Sequence, residues 1–489
     1  MFRYRRPGLK EAIKRLYFHL VMKSQHFRTA AGLFLVALLP RLFVAFAPHP
    51  PLFSDMEDYD RAAVNFLRGH GLAMSPEYLA YRPPGYPLFL AAIYWTVGRN
   101  WTVVRVVQGV LSAGSCVLLY LLGAVLLQKE QRLLIRRGVP VLSGLLLAIY
   151  ESHIFLAGIV LTETLFTFLL LLFLLFLCGC SHRPAFCSWS AFLLGILALI
   201  RPAAVFYLPA LFYADARCLP GGKKGGQWRW RMGRWCLHFL LFCVPMVPWT
   251  IRNALILHAF VPISTNGGVN FYIGHHAGYS YWSTGEKEAI RARTDLNEVE
   301  ESRLFFRLGL GYILDHPGQT LVDTWRKLVY LFRPGIPVWP MGDQGYDLRF
   351  ALFPRMRLIT VDWNWLFLIL SICGGVLFWR EIPNSRAMHL VVFFHILAVL
   401  IYFARARFRV PLEPVFLFWS VYAGLWGILG IRKHLRQEDQ PEGGTPALPR
   451  RHSGESRNPG HSKGKTTDFC YPLAGVVLPC AVETGSFSD

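Results

Sequence analysis

The chain has 489 residues, of which 54% are hydrophobic and only 17% are charged, and its formal net charge is +21. Soluble proteins carry about a quarter charged residues, so this composition argues against a soluble enzyme and favours a membrane protein. Basic cytoplasmic loops explain the positive charge more simply than nucleic-acid binding does. We therefore predict no nucleic-acid partner.

Long apolar runs predict an all-α polytopic membrane protein with about 10–13 transmembrane helices. The first run follows a basic segment at 1–29 and has no small-residue cleavage site, so we interpret it as a retained span rather than a signal peptide. We place ten crossings at roughly 30–48, 104–127, 138–151, 155–178, 188–200, 203–215, 235–257, 359–379, 387–404 and 412–431.

The distribution of Lys and Arg orients these crossings. Cytoplasmic loops carry the excess of basic residues, and the N-terminal segment, the second connection and the loop at 217–234 are all basic. Both termini are therefore predicted to lie in the cytoplasm. Two large segments, 49–103 and 258–358, are predicted on the extracytoplasmic face of the inner membrane, where we expect them to carry amphipathic helices.

The first outer segment opens with four acids within six residues: Asp55, Glu57, Asp58 and Asp60. From Asp58 the sequence predicts an amphipathic helix along the membrane surface, ending at Gly69 and Gly71. One of these carboxylates could act as a general base. Alternatively, the acids only stabilise the N-terminus of the helix through its dipole.

A rigid turn follows in the sequence YRPPGYP, at residues 81–87. Two prolines fix the backbone and Gly85 permits a reversal, so Arg82 is held at the start of the turn. A new helix is predicted from about Pro87.

Two further charged residues lie in or next to predicted crossings. Glu163 lies in the first half of the fourth crossing and Arg201 follows the fifth, and a buried unpaired glutamate is unfavourable, so Arg201 is a plausible partner. The simpler alternatives are a carboxylate at a helix start for Glu163 and a snorkelling anchor for Arg201.

The second outer segment begins with STNGGVNFYIGHHAGYSYW at 264–282. Its glycines allow close backbone approach and its aromatic rings could stack on a sugar, although an ordinary surface loop is the alternative. His275 and His276 are adjacent and show no ligand spacing, so we assign no metal and no cofactor. The cysteines show neither metal-ligand pairing nor a disulfide framework, and we interpret them as small core residues.

Three arginines, Arg405, Arg407 and Arg409, fall in the last outer connection, where basic residues are disfavoured. They either snorkel to lipid head groups or bind an anionic ligand that arrives from the membrane. The planar guanidinium group suits phosphate oxygens.

Beyond residue 434 the chain becomes polar and rich in Gly and Pro. We predict that residues 435–489 are a disordered tail and that truncation after residue 440 leaves activity intact.

The ordered series of motifs resembles the C-type membrane glycosyltransferases, of the protein O-mannosyltransferase and aminoarabinose transferase type. The matching stretches are DMEDYDRAA (55–63), YRPPGYPLFLAAIYWTVG (81–98), VVRVVQGVLSAGSCVLLYLLG (103–123), LTETLF (161–166), ALIRPAA (198–204), PWTIRNALI (248–256), PISTNGGVNFYIGHH (262–276) and RFRVPLEP (407–414). The resemblance covers roughly residues 30–431. It implies the C-type glycosyltransferase fold, with a membrane glycosyltransferase domain at 30–434.

The resemblance also implies roles. Asp55 would be the catalytic base, and Tyr59, the family's tyrosine four residues later, would bind substrate. Arg82 and the arginines at 405–409 would bind the phosphate of a polyprenyl-phosphate sugar donor, with Glu163 and Arg201 near the donor. The acceptor would be a hydroxyl of a glycan, lipid or protein. The alternatives are a transporter or flippase of an anionic lipid-linked substrate, or an inactive assembly subunit. Against transport, no internal repeat occurs.

Overall fold

In a computed structural model, every regular element of the described residues is helical. The structure describes residues 9–49, 51–52, 54–180, 185–218, 227–277, 290, 296–333 and 364–438, and these ranges contain no β-strand. Described residues up to Leu435 belong to one compact unit. The predicted tail lies almost wholly outside the described residues, as does much of the predicted outer segment 258–358.

The helices, numbered in chain order over the described residues, are α1 (Leu9–Phe46), α2 (Asp55–Leu67), α3 (Gly85–Val97), α4 (Trp101–Leu126), α5 (Val139–Ala148), α6 (Glu151–Ala157), α7 (Thr162–Gly179), α8 (Ala185–Ile200), α9 (Leu208–Arg217), α10 (Gln227–Cys243), α11 (Val247–Leu257), α12 (Gly267–Gly274), α13 (Glu298–Asp315), α14 (Pro317–Phe332), α15 (Trp365–Glu381), α16 (Arg386–Ile401) and α17 (Glu413–Glu438). Short 3-10 turns join them at Pro202–Tyr207, Pro383–Ser385 and Ala406–Leu412.

Five helical segments among the described residues are long and apolar enough to cross a membrane: Ser24–Phe46, Trp101–Leu126, Thr162–Gly179, Pro383–Ile401 and Ala406–Ile431. Helices α10 and α11, bent by 58° at a short break, count as a sixth if they form one span. The predicted all-α polytopic membrane class is confirmed. The ten separate crossings remain a prediction, because α5, α6, α8 and α9 are shorter than these spans.

Helix α4 lies at the centre of the buried core and packs against α1, α5 and α7. A buried cation helps to hold three of these helices together. Arg41 of α1 is fully buried and donates hydrogen bonds to Ser112 Oγ of α4 and to the backbone oxygens of Leu147 and Ala148 at the end of α5. These contacts satisfy carbonyl groups that have no partner within their own helix.

The predicted crossing at 155–178 is broken in the structure, since α6 ends at Ala157 and α7 begins at Thr162. Arg105 and Gln108 of α4 explain the break. Arg105 Nε donates to Gly158 O, while Gln108 Nε2 donates to Ala157 O and Ile159 O. These side chains supply the hydrogen bonds that the interrupted helix lacks. The break places Glu163 in the first turn of α7.

Two contacts bring distant segments to this end of α7. The turn Ala406–Leu412 packs on α7 and α14, and α3 packs on α8. Only a glycine fits where α3 begins, since a Cβ atom on Gly85 would lie 2.7 Å from Ile200 Cγ1 and 2.9 Å from Leu199 O. The turn that carries Arg82 therefore lies against the end of α8, next to Arg201.

Candidate functional site

Helix α2 begins at Asp55, three residues earlier than predicted, because the carbonyl oxygen of Ser54 already accepts hydrogen bonds from the backbone N–H groups of Glu57 and Asp58. The first turn is acidic, as the helix dipole favours. Asp55 is buried, whereas Glu57 points outward with about half of its side chain exposed (52%). The predicted apolar face is buried at Tyr59, Ala62 and Ala63, but Phe66 is exposed.

The carboxylate of Asp55 lies between two guanidinium groups from distant parts of the chain. Arg82 Nη2 donates to Oδ1 at 2.6 Å, and Arg407 Nη2 donates to Oδ2 at 2.5 Å. Arg82 also pairs with Asp58 Oδ2 at 2.7 Å. All four side chains are between 12% and 22% exposed, so these ion pairs are shielded from solvent.

These contacts determine the protonation state of Asp55. Burial alone would raise the pKa of Asp55, but the charges and hydrogen bonds of Arg82 and Arg407 outweigh burial and hold that pKa well below its usual range. Asp55 is therefore a carboxylate at any physiological pH. With both arginines in place it is also a weak base.

Glu163 extends the cluster on the side of α7. Its Oε1 atom lies 2.6 Å from Arg201 Nη2 and 3.8 Å from Arg407 Nε, and the glutamate is only 1% exposed. The pair of Glu163 and Arg201 that the sequence suggests is present in the structure. Arg407 thus lies between two acids, Asp55 and Glu163.

Aromatic rings cover the guanidinium group of Arg82. Its Cζ atom lies 5.5 Å from the ring centre of Tyr59 and 5.4 Å from that of Tyr81, both within cation–π distance. Tyr59 also meets Tyr86 edge to face at 5.1 Å. Burial raises the pKa of Tyr59 to about 12, so its hydroxyl stays neutral.

The three arginines at 405–409 occupy different settings. Arg407 is part of the Asp55 cluster, whereas Arg409 is fully buried, pairs with Glu413 at 2.8 Å and donates to the backbone oxygens of Leu331 and Arg333. Arg409 therefore holds the turn Ala406–Leu412 against the end of α14. Arg405 is half-buried at the start of that turn.

Two acids of α13 position the segment before Arg82, a role that the sequence pattern did not indicate. Glu298 accepts hydrogen bonds from the backbone N–H groups of Leu79 and Ala80, and from Thr265 Oγ1 at 2.7 Å. Glu301 accepts from Tyr78 Oη at 2.8 Å. The buried carboxylates come from a capped amphipathic helix, and no spacing rule links them to the turn.

The described part of the 264–282 segment, residues 264–277, forms α12 and its flanks. Both histidines are buried, and His275 Nε2 lies 3.2 Å from Lys327 Nζ. Lys327 also donates to the backbone oxygens of Leu400 and Tyr402, just before the arginine turn. These contacts hold α12, α14 and the end of α16 together. The segment's role in sugar binding remains a prediction.

The cluster combines three acids with three cations: Asp55, Asp58, Glu163, Arg82, Arg201 and Arg407. The acids balance the arginines, so an anionic ligand could bind only by sharing guanidinium groups that now contact carboxylates. Guanidinium groups bind phosphate oxygens in the same planar geometry that they use for carboxylates. A phosphate that shares Arg82 and Arg407 would leave Asp55 less strongly paired.

No protein-family model and no curated protein matches the chain. One similar solved structure is an oligosaccharyltransferase of Archaeoglobus fulgidus, tethered to an acceptor peptide; its TM-score is 0.42 at 12% identity, covering 83% of this chain and 50% of that one. Another is ArnT of Cupriavidus metallidurans bound to undecaprenyl phosphate, with a TM-score of 0.38 at 13% identity, covering 86% and 81%. The chain thus spans half the length of the first structure. Likeness at this level assigns no function to this chain.

Proposed function

We propose that this membrane protein is a glycosyltransferase that moves a sugar from a polyprenyl-phosphate donor to an acceptor hydroxyl at the extracytoplasmic face. The observation that carries the proposal is the Asp55 carboxylate held between Arg82 and Arg407 at the end of α7. The resemblance of its motifs to C-type glycosyltransferases supports the same reaction class.

The proposed reaction is a single displacement at the anomeric carbon. The acceptor oxygen forms a bond to that carbon while the bond from the carbon to the phosphate oxygen breaks, and the acceptor proton passes to Asp55. The departing polyprenyl phosphate gains negative charge, which Arg82 and Arg407 stabilise. A phosphate leaving group needs no proton near neutral pH, so one base and a pair of cations are sufficient.

Donor binding would also activate the base. In the structure both oxygens of Asp55 are paired with guanidinium groups, which hold the pKa of Asp55 well below its usual range. When the donor phosphate takes a share of the same arginines, the pKa of Asp55 rises toward its ordinary value and its basicity increases. This arrangement would limit proton abstraction to the complex that holds a donor.

The site lies at the ends of spanning segments, where a lipid-linked donor can reach it. Glu163 opens α7, and Arg407 lies in the turn that opens the apolar segment Ala406–Ile431. A lipid-anchored phosphate at the membrane boundary would meet Arg407 without leaving the bilayer surface. Glu163, itself paired with Arg201, would hold Arg407 through its Oε1 atom.

The direct test is incubation of the purified protein with radiolabelled polyprenyl-phosphate sugars and a membrane extract. Label should move to a glycan, lipid or protein acceptor, and the exposed variant Glu57→Gln should retain this transfer. A protein that moves the intact donor between leaflets of a vesicle, without transferring its sugar, would instead be a flippase.

A further inference from the structure

Three cysteines from separate helices meet at the opposite end of α7 from the candidate site. Cys180 directly follows α7, Cys187 lies in the first turns of α8, and Cys218 directly follows α9. Their sulfur atoms all lie within 4.8 Å of one another. Glu163 and Cys180 are separated by nearly the whole of α7, which corresponds to about 25 Å along a helix.

The spacing of the sulfur atoms fits a metal ion. A tetrahedral zinc site with Zn–S bonds of about 2.3 Å places its sulfur atoms about 3.8 Å apart. The Sγ atoms of Cys187 and Cys218 are 3.8 Å apart. A disulfide would need a separation of about 2.05 Å and would leave the third thiol unused.

The three thiols make only weak hydrogen bonds, and Cys187 Sγ and Cys218 Sγ share one thiol–thiol contact at 3.8 Å. In the structure Cys180 Sγ donates to Phe176 O at 3.3 Å and Cys218 Sγ donates to Ala214 O at 3.2 Å, each four residues earlier. These are weak hydrogen bonds within a helical turn, so losing them to a metal ion has a small cost.

Buried polar atoms next to the thiols are incompletely satisfied. Asp215, one turn before Cys218, is fully buried and pairs with Arg234, but its Oδ2 atom has no hydrogen-bond partner. His238 is 2% exposed, and its Nδ1 atom also has no hydrogen-bond partner, although it lies 3.6 Å from Asp215 Oδ1. Such orphaned groups are uncommon in a packed interior.

We propose that Cys180, Cys187 and Cys218 bind a thiophilic divalent ion, most simply Zn²⁺, with His238 as the candidate for the fourth position after its ring turns. Binding replaces three S–H bonds with three metal–sulfur bonds and releases three protons to solvent. The resulting centre has one net negative charge, and the ion pair of Arg234 with Asp215 beside it adds no net charge. Three cysteines and one histidine form a known structural zinc set.

The ion would join the ends of α7, α8 and α9 without touching the candidate active site. It would stabilise the fold because ligands that bind only the folded state shift the unfolding equilibrium. The sequence alone does not indicate this centre, since the cysteines are separated by 6 and 30 residues rather than paired. Only the fold brings them together.

The test is a titration of the purified, reduced full-length protein with Co²⁺ after treatment with a chelator. We expect thiolate-to-cobalt charge-transfer absorption that saturates at a single ion per chain and disappears when Zn²⁺ is added. The variant Cys180→Ser/Cys187→Ser/Cys218→Ser should lose this absorption. The matched variant Cys236→Ser/Cys243→Ser/Cys373→Ser should retain it.

A second measurement, the rate of cysteine alkylation, uses the wild-type protein and so does not require a variant that folds. In the wild-type protein, Zn²⁺ should slow alkylation of Cys180, Cys187 and Cys218 at least tenfold, while the exposed Cys373 should react at an unchanged rate. Absence of the charge-transfer band, or equal protection of Cys373, would overturn the proposal. Retention of the charge-transfer band in the variant Cys180→Ser/Cys187→Ser/Cys218→Ser would also overturn it.

Discussion

Arg407 and Asp55 are 352 residues apart in the chain, yet Arg407 Nη2 donates a hydrogen bond to Asp55 Oδ2 at 2.5 Å. The contact joins the helix that follows the first span to the turn that precedes the last one. Arg82 completes the arrangement from the other side of the carboxylate. In the proposed reaction, this relationship lets one donor phosphate control the basicity of Asp55.

The pH dependence of activity follows from the depressed pKa of Asp55. The profile of kcat/KM reports the free enzyme, where Asp55 stays ionised, so it should show no acid limb from this group above about pH 4. The profile of kcat reports the donor complex, in which the phosphate shares the arginines, and its acid limb should lie at higher pH. Steady-state rates across a pH series measure both.

The depressed pKa of Asp55 also determines how the stability of the fold depends on pH. Because the folded-state pKa of Asp55 is lower than its unfolded value, the ion pairs stabilise the fold above about pH 4, and this contribution is lost as the pH falls further. For the activity profile of the previous prediction, an acid limb in kcat/KM near neutral pH that shifts in the variant Arg82→Lys would contradict the depressed pKa of Asp55.

Substitution of Arg407 should mainly reduce activity, whereas substitution of Arg409 should mainly reduce stability. Arg407→Gln should lower kcat/KM for the donor by about 10²–10³-fold, because it removes a charged donor from the leaving phosphate. The thermal midpoint of Arg407→Gln should change little. Arg409→Met leaves the buried Glu413 without its guanidinium partner, so its free energy of unfolding should fall by about 3–5 kcal/mol.

Thermal unfolding in detergent and transfer assays on the same preparations separate the two effects. A folded Arg409→Met protein with normal stability and a selective loss of donor binding would place Arg409 in the site, contrary to its buried contacts.

Glu163 and Arg201 should behave as a coupled pair. Each of the variants Glu163→Gln and Arg201→Gln leaves a mostly buried partner incompletely paired, so each should reduce stability. The double variant should lose less than the sum, with a coupling energy of about 0.5–3 kcal/mol. A double-mutant cycle on unfolding free energies gives this number directly, and strictly additive losses would show that the pair does not act as a unit.

Glu298 should affect catalysis by positioning Arg82. Glu298→Ala removes the acceptor for two backbone N–H groups just before the turn and should cost about 1–3 kcal/mol of stability. We expect kcat to fall as well, with partial recovery in Glu298→Gln, which retains one acceptor oxygen. The exposed Glu300→Gln on the same helix is the matched control and should transfer sugar at the wild-type rate.

Much of the candidate site could be predicted from the sequence. The acidic start of the first outer segment, the proline turn and the arginines of the last connection each follow from local chemistry. Their convergence could be suggested only by the order of the motifs, because no periodicity links residues 55, 82 and 407. Topology brings them together.

Other features depend on packing that a linear sequence does not encode. The three arginines at 405–409 look equivalent in the sequence, but a 3-10 turn directs Arg407 to Asp55 and buries Arg409 against Glu413. The helix break before Glu163 lies inside an apolar run that the sequence predicts as one crossing. The break depends on hydrogen bonds from the side chains of Arg105 and Gln108, which belong to another helix.

The most direct test of the account combines donor binding and turnover in the variant Asp55→Asn. Removal of the carboxylate charge takes away the base but also releases Arg82 and Arg407 from an anion that competes with phosphate. Polyprenyl phosphate should therefore bind at least as tightly as to the wild-type protein, while sugar transfer should fall by about 10²–10⁴-fold. Retained transfer, or loss of lipid-phosphate binding in a folded Asp55→Asn protein, would contradict the central claim.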